Sequence, residues 1–291
     1  VAQKAKEGQV FCKYMIANSY YYGDVIELLH IPRGEITDSK IREFQYEAAR
    51  LYEECIKSGL GFGVHNLEDI YTSGDYGIPK NPKKMLEIKK LGAEHNIREY
   101  VRMMGEEYLD KDVDKAEEYF LRAAEKYDYD SYYYLTKLYT YGGKRPLDLR
   151  KAKDYAEAGL AIYEYSQGCN NLLGEICFYG GDGVPQDYSK AVKCFEKVLE
   201  ENNWGAAMLG TCYLKGLGTE KNVEKARNLF LGRENDKLSI LGLGEIYCFG
   251  LGVEQDIKKG MGYLNQLPSH PRTREIKSHF KRGLFGWKER T

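Results

Sequence analysis

The residue types able to do chemistry are present in this 291-residue chain, but their spacing matches no reaction. The seven cysteines (Cys12, Cys55, Cys169, Cys177, Cys194, Cys212 and Cys248) include no C-x-x-C. Cys169 and Cys177 are the nearest pair. On one helix they would stand about 12 Å apart, too far for a disulfide. The simplest reading is reduced thiols in a reducing, cytoplasmic compartment. None of the histidines (His30, His65, His95, His270 and His279) forms H-E-x-x-H or meets a cysteine at zinc-finger spacing, so no metal site is expected. The glycine-rich stretches at 180–183 and 216–218 lack G-x-x-x-x-G-K-[ST] and read as turns. No G-x-S-x-G or supported S-x-x-K occurs. No catalytic residue and no cofactor is expected.

The same chain is rich in residues suited to holding another protein. It has 26 Tyr against 10 Phe, and a Tyr ring can pack while its hydroxyl stays wet. Tyr132, Tyr133, Asn170, Asn171, Glu175 and Trp204 are the candidate contacts. Amides can bond an extended backbone, and Tyr and Trp are common anchors of interfaces. Tyr132 and Tyr133 are neighbours, so on a helix they point about 100° apart and cannot both face a core. Tyr213 sits at a position that reads as packing. The formal net charge of −1, from 43 basic and 44 acidic side chains, argues against a dedicated nucleic-acid binder.

The elements that must position these residues repeat. Three segments overlay: 170–203, 204–230 and 239–264. Each reads as a small residue, then Leu-Gly, then an aromatic, a Gly-rich turn, and Lys-Ala leading to aromatics. Their glycines are Gly174, Gly210 and Gly244, 36 and 34 residues apart, and the second-helix markers are Ala191, Ala226 and Gly260. The frame runs backward with decay through Gly105 with Ala116, Thr136 with Ala152, Glu68 with Met85, and Ala17 with Ala48. A helix-central Gly costs about 1 kcal/mol against Ala, tolerable where the partner helix leaves no room for a Cβ. Asp187, Asn222 and Asp256 stand three residues before a Lys, placed to cap the second helix.

This frame resembles the Sel1-like repeat family, relatives of the tetratricopeptide repeat, over roughly residues 10–265. The resemblance is strongest at LGEICFYGGDGVPQDYSKAVKCF. It implies an all-α superhelix, an α/α solenoid, with about seven hairpins near 10–58, 60–95, 97–127, 130–165, 168–202, 204–235 and 238–267. The first helices would line a concave surface. It implies an adaptor or scaffold for a protein or peptide partner. The rival is an enzyme with a site assembled across repeats, such as a β-lactam hydrolase; those relatives carry regular cysteine pairs, which this chain lacks. A third reading is a regulatory domain of a larger protein.

Residues 1–267 are thus read as one repeat array and 268–291 as a basic capping helix or tail, with no β-sheet expected anywhere in the chain. In that tail basic residues outnumber acidic ones seven to two, and Ile276, Phe280 and Leu284 recur every four. Docking of this segment to a partner, lipid or RNA is the alternative. The opening VAQKAKEGQV lacks the apolar run of a secretory signal.

Overall fold

The computed structural model describes residues 2–73, 78–141, 145–198, 203–283 and 286–289. Sixteen helices and one small β-hairpin are formed among them. The chain is an all-α repeat protein, an α/α solenoid fold. Two compact bodies are distinguished, 1–131 and 132–291.

In the first body, α1 (Ala2–Tyr22) packs on α3 (Asp38–Lys57), with the short α2 (Val25–Leu28) and a 3-10 turn between them. The second hairpin is α4 (Val64–Ser73) with α5 (Pro82–Glu94), and the third α6 (Arg98–Tyr108) with α7 (Val113–Ala124). Their shared core holds Ala17, Ala48, Tyr52, Ile56, Leu67, Met85 and Tyr100, all nearly inaccessible. The face of α1 carrying Phe11, Met15 and Ile16 is about half exposed. The corresponding residues of later first helices, such as Met208 and Leu209, are buried.

The second body takes in most of α8 (Tyr129–Thr140), which pairs with α9 (Leu149–Ile162). Next come α10 (Gln167–Tyr179) with α11 (Tyr188–Glu196), α12 (Asn203–Lys215) with α13 (Val223–Phe230), and α14 (Lys237–Phe249) with α15 (Ile257–Leu264). Gly180 ends α10 with φ of 62° and Gly250 ends α14 with φ of 64°, a region open to Gly at little cost.

One rule closes every hairpin. Each second helix begins with a side-chain oxygen accepting the N–H three residues on: Thr37, Asn81, Asp112, Asp148, Asp187, Asn222 and Asp256. The donor is a Lys in all seven. The first helix presents its glycine to a large side chain of the second. A Cβ on Gly105 would lie 2.6 Å from Phe120, on Gly174 2.5 Å from Phe195, on Gly210 2.5 Å from Phe230 and on Gly244 2.6 Å from Leu264. Ala116, Ala152, Ala191 and Ala226 are fully buried one turn earlier. It is thus a ring or Leu side chain, not the crossing backbone, that excludes the Cβ.

The tail departs from the expected single basic helix. A short α16 (Pro271–Ser278) is followed by antiparallel β1 (Phe280–Gly283) and β2 (Gly286–Glu289), pairing Phe280 with Glu289 and Gly283 with Gly286. Ile276 and Phe280 are buried with Leu241, Cys248, Met261 and Leu264, and Trp287 packs on that cluster. Phe280 lies in a strand, so the every-four stripe is not a helix face, and Leu284 falls outside the described residues. The segment covers the end of the last hairpin.

Candidate protein-binding face

Neighbouring first helices of the second body touch through small residues. The Tyr133 ring of α8 lies over Gly168 of α10, where a Cβ would come within 2.4 Å of it. Asn171 Oδ1 of α10 sits 2.9 Å from the Cβ position of Gly205 in α12. These contacts rotate each helix so that one row, spaced by four residues, faces outward. On α8 the row is Tyr133, Lys137 and, one residue past the helix, Tyr141. On α10 it is Asn171, Glu175 and Tyr179. On α12 it continues as Thr211 and Lys215.

Rings and charges alternate along this row. Lys137 Nζ lies 5.8 Å from the centre of the Tyr133 ring, and Tyr133 meets Tyr134 at 5.2 Å. The Tyr141 hydroxyl donates to the Glu175 carboxylate at 2.6 Å, tying the two helices together. Tyr141 and Tyr179 are 59% and 56% exposed, large values for rings at equivalent positions of adjacent helices. Asn171 Oδ1 accepts no hydrogen bond among the described residues. That oxygen is buried against α12, so the face offers two open rings, one cation and one anion.

The six sequence candidates divide. Tyr133, Asn171 and Glu175 lie on this row. Asn170 does not: it is 1% exposed, and its amide donates to the carbonyls of Glu164 at 2.8 Å and Ser166 at 2.9 Å. Its hydrogen bonds hold the turn into α10, so that amide is closed to a ligand. Tyr132 packs against Gly159, whose Cβ position is 2.8 Å from its own Cβ; it belongs to the α8–α9 seam. Trp204 meets Phe195 edge-on at 5.8 Å inside the core of hairpins five and six. Tyr213 donates to Glu196 at 3.1 Å under Lys225. Sequence reading missed Lys137, Tyr141 and Tyr179, although each is four or eight residues from a named candidate.

Among the described residues, no cluster of three or more His, Cys, Asp or Glu is arranged to hold a metal. No described helix is long and apolar enough to cross a membrane. No disulfide joins any of the seven cysteines among the described residues, and only Cys12 is exposed. Burial pushes Cys194 up to about 12, with the charge of Cys177 adding to it, and burial raises Cys212 and Cys248 to about 11.

The Sel1 repeat profile matches residues 90–128, 154–203, 205–231 and 238–267, together half of the chain. A relative in Arabidopsis thaliana, the ERAD-associated E3 ubiquitin-protein ligase component HRD3B, is 31% identical over 118 residues, spanning 38% of this chain and 18% of that protein. The crystal structure of c5321, a protective antigen of uropathogenic Escherichia coli with an SLR fold, superposes with a TM-score of 0.67 at 20% identity, covering 94% of this chain and 65% of that one. A Sel1 repeat protein from Oxalobacter formigenes gives 0.58 at 20% identity, covering 91% and 99%. The chain thus spans under a fifth of the curated relative and just under two thirds of the first structure. At such identity the two structures speak to the fold alone. The profile match, the repeated glycine–ring crossings and the shared architecture agree: the chain belongs to the Sel1 repeat family.

Proposed function

We propose that this chain is a non-catalytic scaffold that holds a segment of another protein on the first-helix row of its second body. The observation that carries this reading is the pair Tyr141 and Tyr179, both more than half exposed at equivalent places of neighbouring hairpins, with Tyr141 held by Glu175 of α10. Burying both rings would give the apolar centre of an interface, with Lys137 and Glu175 as its polar edge. The plant relative is named as a component of a ubiquitin ligase. A comparable role here, as a subunit that positions one protein beside another, fits the face and requires no reactive group. A reducing, cytoplasmic setting is part of the same proposal and suits a chain whose described cysteines form no disulfide.

The test is a display selection of random peptides on the folded chain, followed by calorimetry of the best binder. The double change Tyr141→Ala and Tyr179→Ala should weaken binding by about thirtyfold, the equivalent of about 2 kcal/mol, without shifting the melting curve. Unaltered affinity in that variant would remove the row from the binding site.

A further inference from the structure

Of the five hairpins from the third to the seventh, four repeat one local arrangement and the fifth hairpin of the chain breaks it. Three residues past the central small residue of the first helix stands Tyr108, Tyr139, Tyr213 or Tyr247. The Lys at the second-helix start places its ammonium over that ring: Lys115 at 5.4 Å, Lys151 at 4.0 Å, Lys225 at 5.1 Å and Lys259 at 3.9 Å from the ring centre. In three hairpins a second ring completes the stack: Tyr119 lies 5.7 Å from Tyr108, Tyr155 6.1 Å from Tyr139, and Tyr263 6.0 Å from Tyr247. A cation over an aromatic face is attractive, more so when partly desolvated.

In the fifth hairpin both ring positions are cysteines, Cys177 and Cys194. The Lys is kept as Lys190, but it has no ring beneath it and pairs with Glu157 of α9, which also holds Lys153 at 3.0 Å. The first ring, present in the other four hairpins, is therefore missing at Cys177. A cavity of about 420 Å³ opens beside Cys177, walled by Val184 and Pro185, the cations Arg150, Lys153 and Lys190, and the carboxylates Asp154 and Asp187; Cys194 lies outside its wall. That volume lies within the usual range of ligand pockets. A neighbouring hollow of about 620 Å³ shares Arg150 and Gly183 with it. The backbone around the vacancy keeps the common geometry: Asp187 N–H donates to the Cys177 carbonyl at 2.7 Å, as Asp148 N–H does to Tyr139 at 3.0 Å and Asp256 N–H to Tyr247 at 2.9 Å.

The four occupied hairpins show what this slot accepts: a phenol ring beneath a lysine. We propose that the cavity beside Cys177 is a socket for a tyrosine side chain donated by a partner protein, which restores the ring and cation arrangement of the sibling hairpins. The inference rests on the reading that the chain holds a protein segment, but it concerns a different place, on the loop side of α10. Val184 and Pro185 supply apolar walls, and Lys190 and Arg150 supply cations for the ring face. A thiol floor leaves the depth that the native tyrosine fills elsewhere.

The chain itself supplies the blocking group. N-acetyl-tyrosinamide titrated into the labelled full chain should shift the Val184 methyl signals saturably, with millimolar affinity, and N-acetyl-leucinamide should bind at least tenfold more weakly. Cys177→Tyr should abolish the shifts and raise the melting temperature, and Cys177→Ser should keep them. If Cys177→Tyr melts below the parent, Lys190→Met decides: binding at least threefold weaker supports the socket, and unchanged binding overturns it. Absence of shifts in the parent, or equal shifts in a folded Cys177→Tyr variant, also overturns it. If p-cresol binds and the tyrosinamide does not, the slot serves a free phenol and the side-chain proposal falls. Failure of the Tyr141 and Tyr179 row leaves this titration untouched, so the two readings fail separately.

Discussion

A Cβ built on Gly174 falls 2.5 Å from Cε1 of Phe195, the ring facing it across the fifth hairpin. No real Cβ sits so close to a ring carbon, so the glycine is a matched absence. Hairpin four shows the reciprocal solution. There the first-helix position is Thr136 and the second-helix position is Ala156, both fully buried. Volume has moved from one helix to the other, and the crossing stays filled.

Gly174→Ala and Gly210→Ala should each destabilise by about 1–3 kcal/mol, because Phe195 or Phe230 must leave its well-packed rotamer. Combining Gly174→Thr with Phe195→Ala copies hairpin four and should recover part of the loss. Denaturant melts followed by two probes measure both, since a repeat array need not unfold as one unit. Single variants as stable as the parent would refute the matched crossing.

The caps make a separate prediction. Asp187 accepts the Lys190 N–H at 2.9 Å. Asp187→Ala should cost about 1 kcal/mol, and Asp187→Asn much less, because Asn caps as well. Hairpin six already uses Asn222 in that role. Hydrogen exchange of the first turn of α11 would report the change locally.

The buried thiols tie stability to alkaline pH. The folded state holds Cys194 protonated up to about 12 and Cys212 and Cys248 up to about 11, in each case first through burial. An unfolded cysteine ionises near about 8.5. Above that pH the unfolded chain has lost protons that the folded chain keeps. The thiol contribution is therefore fully present below about 8.5 and declines as pH rises toward the folded values. Urea midpoints should fall between pH 8.5 and 11, and Cys212→Ala should flatten the fall. In a native chain a thiol reagent should titrate Cys12 promptly and the other six only on unfolding.

Much of the fold was legible because its determinants are local. A helix-central Gly, a Gly-rich turn and an Asp or Asn before Lys recur in the letters, and each has one structural consequence. The C-terminal strands were not legible: Phe280 and Ile276 are spaced as on a helix and share one buried cluster, and only the pairing of Phe280 with Glu289 shows a strand. The candidate face was half legible. Tyr, Asn and Glu on first helices are visible in sequence, but Asn170 and Asn171 differ only in rotation about the helix axis. That rotation is set by Gly205 of α12 against Asn171 and by Tyr133 of α8 over Gly168, tertiary contacts that spacing within one helix does not reveal. The fifth-hairpin cavity escaped notice for a different reason. Cys177 and Cys194 become informative only beside the tyrosine pairs they replace.

The central claim is that a partner segment lies on the row running through Tyr141, Glu175 and Tyr179. A photoreactive phenylalanine analogue placed at position 179, with a second chain carrying it at the exposed second-helix residue Lys193, tests this most directly. Irradiated with a selected binding peptide, the chain labelled at 179 should cross-link and the chain labelled at 193 should not. Cross-linking at 193 with none at 179 would place the partner on the second-helix side and contradict the account.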